Sequence, residues 1–194
     1  MLCVLALTVA RYAKSADPAS EAGKGIPAGA PEQQRKFCAT VLSWNEEYSR
    51  RRKALEGEHD FNRAKALPTP EAASDQGLAD LYALVGPAGT FRGWRGHAYI
   101  GVNGGSAVVD LQACSMRNEI TAEMVDVHLN GGGLPANSPL AKSLASFKSA
   151  KEVVVSGVFV FRTWPNNLQQ FTMMPRDIRH PAFAVGITSV APAR

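Results

Sequence analysis

The chain has 194 residues, 45% of them hydrophobic and 20% charged, and a formal charge of +4. That length suits one domain of the common size, roughly 100–150 residues, with an appendage, and so small a charge singles out neither nucleic acid nor a membrane surface as a partner. No C-x-x-C pair occurs among Cys3, Cys38 and Cys114, and His59, His97, His128 and His180 stand singly, so there is no zinc-binding spacing and no cofactor is expected.

Residues 2–10, Leu-Cys-Val-Leu-Ala-Leu-Thr-Val-Ala, form an apolar run shorter than the ~20 residues that cross a bilayer. Two readings stand for residues 1–14. They are the tail of a secretory signal truncated of its basic start, with Thr8 and Ala10 small enough for a cleavage site, or they are an apolar strand or helix. Residues 15–31, rich in Ala, Gly, Pro and Ser, read as a flexible linker like the start of a mature exported chain. The expected location is periplasmic or secreted, with cytoplasmic as the alternative.

Residues 32–87 read as a helical segment. Phe37, Val41, Trp44, Tyr48 and Leu55 fall on one stripe of a helix beginning at Glu32, after Pro31. Arg51 sits on the seam, which favours packing within the chain over a coiled coil. The run Arg50-Arg51-Arg52-Lys53 reads as a solvated helical face rather than a nucleic-acid patch. Gly57, Pro68 and Pro70 interrupt, and a second helix over 71–85 turns Leu78, Leu81, Tyr82 and Val85 inward before Gly86-Pro87 ends it.

Residues 88–194 read as a barrel. A strand over 91–103 meets Asn103-Gly104-Gly105-Ser106, a hairpin turn signal, and returns over 107–114. A third strand is expected over 120–129, with Ile120, Ala122 and Met124 on one face, although Val125 to Leu129 reads equally as a turn of helix, and Gly131-Gly132-Gly133 then reads as a flexible loop. Ser138 and Pro139 open a helix over 139–147 whose Leu140, Leu144 and Phe147 plug the barrel. Residues 153–161 are a nearly unbroken apolar run, expected to be buried on both faces. Trp164-Pro165-Asn166-Asn167 turns the chain into 168–174, and 182–190 offers a last strand.

A helix between the third and fourth strands of a small antiparallel barrel is the OB-fold arrangement. The expected fold is thus α+β: a small antiparallel OB-like β-barrel with one or two N-terminal helices packed on it. Its predicted core is Phe37, Val41, Trp44, Tyr48, Ile100, Val102, Val109, Leu111, Leu140, Leu144, Val153, Val155, Val158 and Val160.

At Phe91-x-x-Trp94-x-Gly96, Ser138-Pro139-Leu140-x-x-x-Leu144, Val153-x-x-Ser156-Gly157-x-Phe159 and Pro181-x-Phe183, the chain resembles a family of uncharacterised bacterial proteins of exported type. These have a signal-like N-terminus, a helical segment and an OB-like barrel. The resemblance spans roughly residues 35–190 and implies a fold; the family has no established activity, so it implies no catalytic or binding residue. The chain departs from the pattern between Cys114 and Asn137, where the three glycines lie.

Candidates for chemistry are few. Ser156 lies in a strand, outside any nucleophile-elbow pattern. His97 and Asp110 are candidates for a cross-strand pair, more in keeping with an ordinary sheet contact than with catalysis. Glu119, Glu123 and Asp126 would gather a cation only if that stretch were helical. Arg92, Trp94, Arg95 and Tyr99 interleave basic and aromatic residues, and Arg162 and Trp164 add to them; these six are the candidate ligand contacts. Cys38 and Cys114 have two readings, a disulfide between the helix and the barrel in an oxidising compartment or two buried free thiols. The expected function is a non-catalytic OB-like module, monomeric or weakly oligomeric, binding protein, peptide or glycan. The alternative is a single-stranded nucleic-acid binder.

Overall fold

A computed structural model describes residues 25–103, 106–135, 137–145, 151–163, 169–171, 178 and 181–193. Residues 1–14, most of the 15–31 segment, Phe147 and Trp164 lie outside the described residues, as do the side chains of Ile100, Val102, Leu144 and Arg162.

Helix α1 runs over Glu32–Gly57 after Pro31, with Glu32 in its first turn, where a carboxylate complements the helix dipole. Asp60 caps the short α2, Phe61–Ala66, by accepting from the amides of Asn62 and Arg63. Helix α3, Pro70–Val85, has Thr69 as its cap and proline at its first position. Trp44 of α1 donates to Asp80 of α3 at 2.8 Å, so the two long helices form one layer.

The strands are β1 (Thr90–Asn103), β2 (Ser106–Arg117), β3 (Met124–Pro135), β4 (Lys151–Phe159), β5 (Phe161–Thr163), β6 (Gln169–Phe171) and β7 (Ala182–Pro192). Five close a barrel in the order β1-β2-β3-β7-β4, while β5 and β6 pair separately. Every barrel pairing is antiparallel except β3 with β7. Helix α4, Pro139–Ala145, lies between β3 and β4, opened by Ser138, whose hydroxyl accepts from Ala141 N–H. The expected α+β OB-like barrel is what the chain forms, with one parallel pair inside it.

Strand β1 is long enough to pair with both neighbours, β4 through its first half and β2 through its second. The bend lies between Phe91 and Trp94, where the register with β4 shifts and Gly93 takes φ +66°. The Gly93 amide donates to the Ser156 hydroxyl on β4. Ser156 thus stitches the bulge, a structural role that agrees with its place in a strand.

One end of the barrel is closed by α1. The ring of Phe37 lies 5.1 Å from Trp94, 5.3 Å from Phe159 and 5.1 Å from Phe183, residues of β1, β4 and β7. All four side chains are buried. Next to Phe37, Cys38 is joined by a disulfide to Cys114 of β2, so of the two readings for these cysteines the structure has the bond. Helix α4 packs Leu140 and buried Ala141 on the core.

Several expectations are corrected. Val158 and Val160 are 37% and 44% exposed, because α1 covers the end of the barrel rather than the side of β4. Trp44 and Tyr48 pack on the core while remaining partly exposed. Strand β3 begins at Met124, not Ile120: residues 118–122 form a turn in which Asn118 accepts from the amides of Ile120 and Thr121, and Ala122 takes φ +60°. Gly131 and its two neighbours are strand, not loop. A β-carbon at Gly131 would stand 2.6 Å from Ile187 Cδ1, so glycine there lets β7 approach β3. Residues 25–31 are docked: the carbonyl of Gly25 accepts from Ser115 N–H, and Ile26 and Ala30 are buried.

Candidate ligand face

Alternation along a strand sends successive side chains to opposite faces. On β1, Trp94 and Ala98 point into the barrel, which leaves Arg95, His97 and Tyr99 outside. On β2 the outer residues include Asp110 and Gln112, and on β3 they are Asp126, His128 and Asn130. Asn103 pairs with Ser106, and the register then runs back to Tyr99 opposite Asp110 and His97 opposite Gln112. Gln112 in turn faces His128, and Asp110 faces Asn130.

Two diagonal hydrogen bonds tie this face together. His128 Nδ1 donates to Asp110 Oδ1 at 2.8 Å, and Gln112 Nε2 donates to Asp126 Oδ1 at 2.8 Å. The bond to Asp110 raises the pKa of His128; partial burial opposes the shift, and the charges of Asp110 and Asp126 reinforce it. Tyr99 is 50% exposed. At the edge of the face Arg95 lies 3.7 Å from Glu152 of β4. Residues 25–28 form a wall, and between them and His97, Gln112 and Glu152 opens a cavity of about 350 Å³.

Among the described residues the candidate contacts do not assemble into one site. Trp94 is fully buried in the aromatic cluster, with its indole N–H on Gln33 Oε1, so it offers no stacking surface. The parity that puts Ala98 inside puts Trp94 inside as well. Arg92 is exposed but lies beyond the bulge from Tyr99. Arg95 and Tyr99 share the outer face, while Trp164 and the side chain of Arg162 lie outside the described residues. His97 faces Gln112, and the partner of Asp110 is His128. Asp126 is on a strand and held by Gln112, so it does not gather with Glu119 and Glu123 on a helix. Among the described residues no group of three or more His, Cys, Asp or Glu is placed to hold a metal ion.

Comparison with protein-family models, curated proteins and solved structures gives no match. The geometry alone carries the functional reading.

A histidine held by a carboxylate is two-thirds of a hydrolytic triad, yet among the described residues no Ser, Thr or Cys side chain bonds His128. What the face offers is a fixed set of donors and acceptors around one open aromatic ring. Sequence reasoning missed His128 and Gln112 and read Asp126 only as one of three carboxylates for a cation, although Val125-Asp126-Val127-His128-Leu129 alternates strictly between apolar and polar. The basic run on α1 is absorbed locally: Arg50 and Arg51 bond Glu47, Arg52 bonds Glu56, and Lys53 donates to the carbonyl of Ile120. No helix among the described residues is long and apolar enough to cross a membrane.

Proposed function

We propose that the chain is a non-catalytic OB-like binding module of exported type that holds its ligand on the outer face of β1, β2 and β3. The observation that carries this reading is the half-exposed Tyr99 lying opposite Asp110, which His128 holds in place. OB barrels bind through the corresponding surface around their second and third strands; that likeness is an analogy of fold, and the side chains supply the specific argument. Export is supported by the disulfide between Cys38 and Cys114, since such bonds persist in oxidising compartments. The resemblance of the motifs to a family of exported type agrees with both.

Single-stranded nucleic acid fits less well. Its binders combine exposed aromatics with free cations along a groove. Here Trp94 is buried, Arg95 neighbours Glu152, Asp110 sets negative charge opposite Tyr99, and Asp126 adds to it further along the same face. The test is a thermal-shift screen of the full chain against soluble oligosaccharides, short peptides and single-stranded oligonucleotides. Stabilisation by one of them that disappears in Tyr99→Ala supports the assignment. Stabilisation that survives in Tyr99→Ala, or none from any panel, overturns it.

A further inference from the structure

Resting on that reading, we infer that the ligand is a carbohydrate, with a sugar ring laid against Tyr99 and its hydroxyls held by the Asp110–His128 and Gln112–Asp126 pairs. A pyranose has an apolar face of C–H groups and a rim of hydroxyls that both donate and accept. A complementary site needs a flat amphipathic ring and planar polar groups of fixed orientation beside it. Tyr99 has Gly101 beside it on the same face of β1, and a β-carbon at Gly101 would meet nothing within 4 Å. Open ground therefore flanks the ring.

Each polar pair has one half engaged and one half open. His128 Nδ1 and Asp110 Oδ1 are used on each other, as are Gln112 Nε2 and Asp126 Oδ1. The second carboxylate oxygens, His128 Nε2 and Gln112 Oε1 have no protein partner among the described residues. Such a row takes hydroxyls well, because the carboxylate oxygens and Gln112 Oε1 accept from them and His128 Nε2 donates to them when the ring is protonated. Successive outward residues on a strand are about 7 Å apart, the scale of one pyranose ring with its linkage. The row from Tyr99 to Gln112 and the cavity walled by residues 25–28 therefore suit a short oligosaccharide lying across β1 and β2.

Competing ligand classes meet specific obstacles. A polyanion meets Asp110, Asp126 and Glu152 on this face, and of the cations there Arg95 already neighbours Glu152 while Arg117 lies at the far end of β2 from Tyr99. An extended peptide binds most generally by adding a strand to a free edge, and β1 and β2, which carry Tyr99 and Asp110, are paired on both sides in the barrel.

The experiment is isothermal titration of the full chain with chitohexaose, cellohexaose and xylohexaose, alongside oligolysine and oligothymidylate, at low and high salt. The chain is compared with Tyr99→Ala, Tyr99→Phe and Asp110→Asn. The expected result is binding of at least one oligosaccharide that salt leaves unchanged. Tyr99→Ala weakens it at least about tenfold, equivalent to ~1.4 kcal/mol, and Tyr99→Phe changes it by less than about threefold. Asp110→Asn weakens it as well.

Failure of all three sugars overturns the carbohydrate assignment. If oligolysine or oligothymidylate binds instead, with strong salt dependence and loss in Tyr99→Ala, the ligand face stands and only the carbohydrate class falls. Oligosaccharide binding that all three variants retain overturns the face, because the sugar then binds elsewhere on the chain. Since Tyr99 is half exposed, unchanged melting of its variants separates lost binding from lost folding.

Discussion

Gln34 is bonded twice to the backbone of Arg95. The Arg95 amide donates to Gln34 Oε1 at 2.8 Å, and Gln34 Nε2 donates back to the Arg95 carbonyl at 2.5 Å while also reaching the Ala113 carbonyl at 2.7 Å. The ladder between β1 and β2 ends at His97 and Gln112, and the carboxamide of Gln34 continues it as a surrogate peptide group. The fully buried Gln34 thus joins α1 to the strand that carries the ligand face.

Removing that amide leaves buried backbone groups unpaired. Gln34→Ala is expected to cost about 2–4 kcal/mol, and Gln34→Glu more, because a buried carboxylate cannot donate to either carbonyl. Denaturant unfolding measures both. An unchanged midpoint in Gln34→Ala contradicts the role.

The disulfide is the covalent counterpart of this joint. Cys38 and Cys114 are 76 residues apart in sequence, and a bridge closing such a loop is typically worth about 2–4 kcal/mol, chiefly by restricting the unfolded chain. Reductant is expected to lower the melting temperature of the natural chain and to leave a Cys38→Ser/Cys114→Ser double variant unmoved. Equal response of both to reductant contradicts the bond.

Two tryptophans separate the barrel core from the helical seam. Trp94 touches Phe37, Phe91 and Phe159 and is fully buried, so Trp94→Ala should cost about 3–5 kcal/mol. Trp44 is only partly buried, between α1 and α3, and Trp44→Ala should cost about 1–2 kcal/mol. Calorimetric melting of both variants checks the order. A larger loss from Trp44→Ala would mean that the helical layer, not the aromatic cluster, dominates stability.

Much of this architecture is legible in the residues. The stripe from Phe37 to Tyr48, the pairing of β1 with β2 and the Ser138-Pro139 helix start each have a local physical cause, and their order fixes the OB-like arrangement. What was not legible depends on contacts between elements. An unbroken apolar run such as 153–161 carries no mark of which face is covered; α1 caps the barrel end and leaves Val158 and Val160 in water. Three successive glycines look like a loop until β7 is laid against Gly131. The bulge at Gly93 lets both Phe91 and Trp94 point inward, which plain alternation forbids. In the ligand face Tyr99 and Arg95 were legible from β1, whereas the partner of Asp110 required the position of β3.

The pair Asp110–His128 makes stability depend on pH. The hydrogen bond to Asp110 raises the folded-state pKa of His128 above its ordinary value of 6.5, so folding favours the protonated ring. That contribution is fully present below about pH 6.5 and is lost as the pH rises through the folded-state value. The melting temperature of the natural chain minus that of His128→Gln should therefore be largest near pH 5 and shrink towards about pH 8. A difference that grows with pH contradicts the pairing.

The most direct test of the ligand face is mapping of amide chemical shifts on the isotope-labelled full chain, titrated with the sugar, peptide or oligonucleotide that binds it most tightly. The predicted result is that the largest changes fall in residues 97–101, 108–112 and 126–130, the outer rungs of β1, β2 and β3. Changes centred instead on Val158 and Val160, or on the seam between α1 and α3, would contradict it.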